Sequence, residues 1–150
     1  MEIFVDADAC PVKEEVYRVA RRHRLKTHVV SNAFIAIPDE PLISRRIVDA
    51  GPDVADDWIA ETVQPGDVVI TADIPLAERA LGAGAAAIGP TGRRFTADSI
   101  GAAVASRAVA EHIRSFGGMT RGPAPFQRAD RSRFLQVLEE AVQRELRRRR

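Results

Sequence analysis

Apolar residues recur along this chain with two periods that alternate up to about residue 90. Ile3 to Val5 is a short unbroken apolar run, the pattern of a strand buried on both faces. Pro11 to His23 then carries Val12, Val16, Val19, Ala20 and His23 at helical spacing, with Pro11 suited only to the first turn. Thr27 to Ser31 reads as a second strand, Ile43 to Val48 as a weaker third, and Val54 to Val63 as a helix opened by Pro52-Asp53. Asp67 to Thr71 makes a fourth strand, Ile74 to Leu81 a helix with Pro75 in its first turn, and Ala85 to Ile88 a short fifth strand. Strand and helix alternate, which predicts an α/β fold with a parallel sheet and helices on its faces.

From Pro90 the pattern changes to a loop punctuated by Arg and Gly, a helix from about Ser99 to Ser115, a Gly117-Gly118 break and Pro123-Ala124-Pro125. A last helix is expected from about Asp130. Phe134, Leu135, Leu138, Ala141, Val142 and Leu146 give it an apolar stripe, so it should dock on the rest. At 150 residues the chain has the length of one domain, with the helical part from about 99 to 150 packed on it.

Charge narrows the field little. The formal net charge is +1, so no global basic field marks a nucleic-acid partner, and any such binding must come from local arrangement. The single cysteine, Cys10, excludes an intramolecular disulfide framework and a cysteine-rich zinc site. His23, His28 and His112 are scattered without ligand spacing. The longest apolar runs fall far short of the roughly 20 residues that cross a bilayer. With no charged leader before an apolar stretch, the expectation is a soluble cytoplasmic protein without a membrane partner; a homo-oligomer stays open.

Two of the strand-like runs end in acids: Ile3-Phe4-Val5 leads into Asp6-Ala7-Asp8, and Val68-Val69-Ile70-Thr71-Ala72 into Asp73. In an open parallel sheet the C-terminal strand ends share one edge, and ligands bind there where the strand order reverses. If the first strand continues to Asp8, Asp6 and Asp8 point to the same side. Helix capping is the alternative use for Asp8 and again for Asp73. Asp53, Asp56 and Asp57 lie around the first turn of the Val54 helix, where the macrodipole favours negative charge whatever the function. The apolar face of that helix carries Ala55, Trp58, Ile59, Thr62 and Val63, with Asp56 at its border and Asp57 turned nearly away. Asp56 is therefore the one expected to reach the sheet edge.

Converging carboxylates repel one another and raise each other's pKa unless a cation neutralises them. Asp6, Asp8, Asp56 and Asp73 are thus the expected ligands of Mg²⁺ or Mn²⁺, hard cations that prefer oxygen. Such an ion acidifies water for attack on a phosphodiester and stabilises the charge that develops on phosphate oxygens.

Three blocks carry a family resemblance: Asp6-Ala7-Asp8-Ala9-Cys10-Pro11-Val12-Lys13, Gly51-Pro52-Asp53-Val54-Ala55-Asp56-Asp57-Trp58-Ile59, and Gly66-Asp67-Val68-Val69-Ile70-Thr71-Ala72-Asp73-Ile74-Pro75-Leu76-Ala77. Together with Arg94-Phe95-Thr96, Gly122-Pro123, Phe126, Asp130-Arg131 and Phe134, they resemble the signature blocks of the YaiI/YqxD family of bacterial proteins over nearly the whole chain. One departure is Asp98-Ser99-Ile100, where the family more usually has Asn before the Ile. That family is similar to PIN-like domains. The resemblance implies a three-layer sandwich with a mostly parallel five-stranded sheet in the order 3-2-1-4-5. It also implies metal-dependent ribonuclease cleavage with Asp6, Asp56 and Asp73 as the catalytic acids.

Substrate contacts are expected from Asn32, after the second strand, and from Arg93, Arg94, Arg121 and Arg131, which lie beyond the sheet's ligand edge and could track an RNA backbone. Arg128 and Arg133 belong to the same group. Aromatics for base stacking are scarce: Phe95 and Phe126 are the candidates for exposure, with a core position the alternative for both. Cys10 is expected to pack as a small buried residue. Asp6-x-Asp8 after an apolar strand, with Ser31 after the next, also fits a haloacid-dehalogenase-like phosphatase, but no Lys follows Lys26 to bind the phosphate. A non-catalytic RNA-binding PIN-like protein is the third reading.

Overall fold

A computed structural model describes residues 1–51, 53–101 and 126–149. Arg121, His112, the Gly117-Gly118 break and most of the expected Ser99–Ser115 helix lie outside the described residues. Six strands form one sheet: β1 (Glu2–Asp6), β2 (Lys26–Ser31), β3 (Ile43–Ile47), β4 (Val68–Ile70), β5 (Ala86–Ile88) and β6 (Arg94–Phe95). The helices are α1 (Lys13–His23), α2 (Val54–Thr62), α3 (Ile74–Gly82) and α4 (Arg128–Arg148), with a 3₁₀ turn at Ala7–Ala9. A further helical segment begins at 97–101.

The sheet order is β3-β2-β1-β4-β5-β6. The first five strands are parallel, as the strand–helix alternation requires, and take the expected order. The sixth strand was not anticipated. Arg94–Phe95 pairs antiparallel with β5, and a strand this short leaves too few positions for a period to show.

Side chains of β1 alternate between two cores. Ile3 and Val5 join Val29, Ile70 and Ile88 beneath α1 and α4, whereas Phe4 joins Val30, Val69 and Ala87 beneath α2 and α3. This is a sheet covered on both faces, a three-layer sandwich. On α4, Phe134, Leu138, Ala141 and Val142 are buried at helical spacing, while Leu135 and Leu146 are partly buried against the same core. Arg22 and His23, at the end of α1, both reach Glu139 of α4. At the end of the sheet away from the ligand edge, the buried Asp67 carboxylate accepts the N–H groups of Glu2 and Gln64, at 2.9 and 2.8 Å. Among the described residues no helix is long and apolar enough to cross a membrane.

Candidate functional site

Because β1 and β4 are neighbours, their C-terminal ends bring Asp6 and Thr71 to the same point of the sheet edge. Thr71 is buried, and its Oγ1 donates to Asp6 Oδ2 at 2.8 Å while accepting the Asp73 N–H at 2.9 Å. One hydroxyl therefore links the end of β1 to the start of α3. Asp73 is the N-cap of α3. Its Oδ1 accepts the Leu76 N–H at 2.9 Å and Pro75 sits in the first turn. Capping does not remove Asp73 from the cluster, since its carboxyl lies close enough to Asp56 to help raise that neighbour's pKa.

Asp56 comes from the first turn of α2, a helix entered through Asp53 in the left-handed region at φ 66°. Burial pushes the Asp56 carboxyl up to about 6, with the charges of Asp73, Asp6 and Asp53 adding to it. Burial also raises Asp6, assisted by Asp73 and Asp8 and opposed by the Thr71 hydrogen bond. Carboxyls this close repel one another when both are ionised, and a bound proton or cation relieves that repulsion. Asp57, the next residue, points elsewhere and pairs with Arg79 at 2.6 Å.

Asp8 does not continue the strand. The last β1–β2 pair is Asp6 with Val30, after which Ala7–Ala9 turns into a 3₁₀ segment closed by the Cys10 N–H on the Ala7 carbonyl. Strand alternation therefore does not govern where Asp8 points. Nor does Asp8 cap α1, whose N-cap is Val12. Both its oxygens instead accept the Asn32 N–H, at 3.1 and 3.0 Å, which ties the loop after β2 to the cluster. Ser31 Oγ donates to the Ala33 carbonyl at 2.6 Å, so its hydroxyl shapes that turn.

Arg93 and Arg94 are exposed and sit at the C-terminal end of β5, on the sheet edge that carries the acids, with Arg93 5.2 Å over the Phe95 ring. Arg131 is engaged elsewhere: its guanidinium donates to the Pro11 carbonyl at 2.6 Å, lies 3.4 Å from Glu15 and covers Phe126 at 5.0 Å. It fastens α4 to the start of α1. Arg133 reaches the Thr91 carbonyl and Asp130. Ser99 hydrogen-bonds reciprocally with Thr96, giving the departure from the family pattern a capping role at the helical start.

Of the two alternatives for the aromatics, the core one holds: Phe95, in β6, is buried in the core beneath α2 and α3, and Phe126 packs against the α1–α4 core. Among the described residues Phe34 is the exposed aromatic, at 68 %, with the Arg45 guanidinium 4.1 Å over its ring. The only signal in the sequence was its place in an aperiodic segment running to Pro38 and Pro41, where an aromatic has no periodic partner to bury against. Thr71 was also missed, although a Thr closing a Val-Val-Ile run beside an acid marks the same edge. Cys10 is buried, and burial pushes its thiol pKa up, away from reactivity. His23 faces Glu139, while His28 bonds Glu2 and stacks on Phe4 at 4.6 Å.

Among the described residues no group of three or more His, Cys, Asp or Glu stands ready as a metal-ligand set. The donors near Asp6 and Asp73 are all oxygens, carboxylates and one hydroxyl, and burial, with their mutual repulsion adding to it, raises Asp6 and Asp56. That chemistry fits a hard divalent cation, of which Mg²⁺ takes only one or two carboxylates directly and keeps several waters.

Residues 4–144 match the family model described as uncharacterized BCR, YaiI/YqxD family. A UPF0178 protein of Caulobacter vibrioides is 62 % identical over 140 residues, covering 93 % of this chain and 92 % of the relative. A UPF0178 protein of Rhodospirillum rubrum is 56 % identical over 144 residues, covering 95 % and 96 %, and one of Rhodopseudomonas palustris is 54 % identical over 147 residues, covering 98 % and 93 %. No solved structure matches the chain. With nearly its whole length aligned to these relatives and to the family model, the chain belongs to the YaiI/YqxD family.

Proposed function

We propose that this protein is a PIN-like, divalent-metal-dependent ribonuclease that cleaves phosphodiester bonds at Asp6, Asp56 and Asp73. Mg²⁺ or Mn²⁺ would be held by Asp6 and Asp73 with Asp56 close by, and Asp8 adds negative charge beside Asp6. The observation that carries the reading is the meeting of acids from β1 and α3 at one sheet edge, where Thr71 bonds both the Asp6 carboxylate and the Asp73 N–H, with Asp56 of α2 beside them. A cation there acidifies water and offsets charge on the phosphate oxygens.

The chain's own groups have separable tasks. Thr71 orients Asp6 through its hydroxyl, and the α3 cap immobilises Asp73. Asp56, with a pKa near neutrality, is the group suited to exchange a proton with an attacking or departing oxygen. Arg93 and Arg94, exposed on the same edge, are positioned to meet backbone phosphates. The phosphatase reading is weaker because Ser31 is drawn into its own turn.

The test is cleavage of labelled single-stranded RNA by the purified chain in Mn²⁺ or Mg²⁺. Turnover should vanish with EDTA and in Asp6→Asn and Asp73→Asn, while an aryl phosphate remains intact. Mn²⁺ binding left unaltered in both variants, or hydrolysis of the aryl phosphate but not RNA, would overturn the proposal.

A further inference from the structure

Phe34 is the most exposed large apolar side chain among the described residues, and three features distinguish it from an incidental surface aromatic. First, Arg45 lies 4.1 Å over its ring and donates one N–H to the Ile35 carbonyl at 3.3 Å. That contact holds the ring from one side. A guanidinium has five donors, so most of the fork is left for a phosphate. Second, Phe34 follows Asn32 by two residues, and the Asn32 N–H is bound by Asp8. The aromatic is thereby tethered to the acidic cluster through a short loop. Third, Arg45 and Arg46 are consecutive, exposed residues of β3, the strand at the sheet margin, with Arg45 on the Phe34 face and Arg46 on the other, 5.1 Å over the Trp58 ring.

Two consecutive charges on an edge strand oppose pairing with the same edge of a second copy. The same charges attract a polyanion. An open aromatic face beside arginines is the arrangement that holds unpaired bases, because every base has a π-face and the backbone supplies the negative charge. Duplex bases are stacked on each other and offer no such face.

We propose that Phe34, backed by Arg45, is a base-stacking platform that seats single-stranded nucleic acid beside the acidic cluster. The inference rests on the phosphodiesterase reading of that cluster and names its substrate as an unpaired strand.

The experiment measures binding alone, by fluorescence anisotropy in EDTA, using a labelled unstructured strand of about 12 nucleotides, within the usual site size. RNA and DNA versions and the matching duplex are compared. Phe34→Ala should weaken single-strand binding about tenfold or more, as loss of one stacked base does. Phe34→Trp should restore binding, Phe34→Leu should not, Arg45→Ala should weaken it, and Leu42→Ala, at an exposed apolar residue beside β3, should leave it unchanged. The duplex should bind at least tenfold less tightly. Wild-type affinity in Phe34→Ala for both RNA and DNA would overturn the proposal, as would restoration by Phe34→Leu or equal affinity for the duplex. Light scattering showing a dimer that Phe34→Ala dissolves would assign the surface to a second copy instead. Binding that depends on Phe34 without cleavage in any metal would refute only the nuclease reading. Full cleavage by Phe34→Ala would refute only the platform.

Discussion

Thr71 and Asp6 are joined by a 2.8 Å hydrogen bond in which the hydroxyl donates to a carboxylate that burial would otherwise favour keeping protonated. The same hydroxyl accepts the Asp73 N–H, so two ends of the site share one small side chain. Thr71 itself is buried, so bulk water does not reach its hydroxyl.

Replacing Thr71 by Val keeps the shape and removes both bonds. Stability should fall by about 1–3 kcal/mol, the cost of leaving buried polar groups unpaired. Mn²⁺ affinity and RNA cleavage should fall with it, whereas Thr71→Ser should retain most of both. Denaturant melts and calorimetry with Mn²⁺ on the two variants check this, and a Val variant with native Mn²⁺ affinity would remove Thr71 from the site.

Adjacent acids on α2 should behave differently. Asp56→Asn is expected to slow RNA cleavage at least tenfold more than Asp57→Asn, because Asp56 lies close to Asp73 whereas Asp57 pairs with Arg79. Single-turnover rates on a common RNA provide the comparison. Equal losses would mean that charge, rather than closeness to Asp73, matters on this helix.

The raised Asp56 has a signed consequence for stability. Its carboxyl moves from 3.8 to about 6 on folding, so between those pH values the native chain holds a proton that the unfolded chain has released. Stability conferred below that window is therefore lost as pH rises through it. Asp6, also raised by burial, acts in the same direction. Without metal, the melting temperature should drop between pH 4.5 and 6.5, and Asp56→Asn should flatten the drop. Mn²⁺ should stabilise more at pH 7 than at pH 5, since cation and proton compete for the same oxygens.

Gly92, at φ +87°, seats the β5–β6 turn on α4, where an added Cβ would lie 2.9 Å from the Arg133 backbone carbon. Gly92→Ala combines left-handed strain with that clash and should cost about 1–3 kcal/mol. A drop of several degrees in melting temperature with Mn²⁺ affinity unchanged is the expected result; lost affinity with an unchanged melt would contradict it.

Much of this was legible in the sequence because local patterns carried it. The Val12, Val16, Val19 and Ala20 spacing and the Phe134, Leu138, Ala141 and Val142 stripe bury as helical periodicity requires. The helix border at Asp56 likewise placed that residue toward Asp73. What failed was of a different kind. The end of β1 at Asp6 depends on how far β2 offers partners, and once pairing stops the chain enters a 3₁₀ turn at Ala7–Ala9, so strand alternation no longer sets the direction of Asp8. Arg131 was grouped with the nucleic-acid arginines, but its orientation follows from the docking of α4 on α1. Whether Phe95 and Phe126 are exposed or core was left open by the sequence, and both pack inward while Phe34 stays exposed, because burial depends on which element lies overhead.

Alone, the sequence determined the alternation of strand and helix, the two-faced burial of the strands and the delivery of acids to strand ends. These follow from residue spacing within single elements. Tertiary structure decided which acids come together, that Thr71 joins two of them, that Asp8 binds the Asn32 loop and that Phe34 is, among the described residues, the aromatic left open. The reason is physical: hydrogen bonds, carboxyl repulsion and exposure depend on distances between segments far apart in the chain, and no local period encodes those distances.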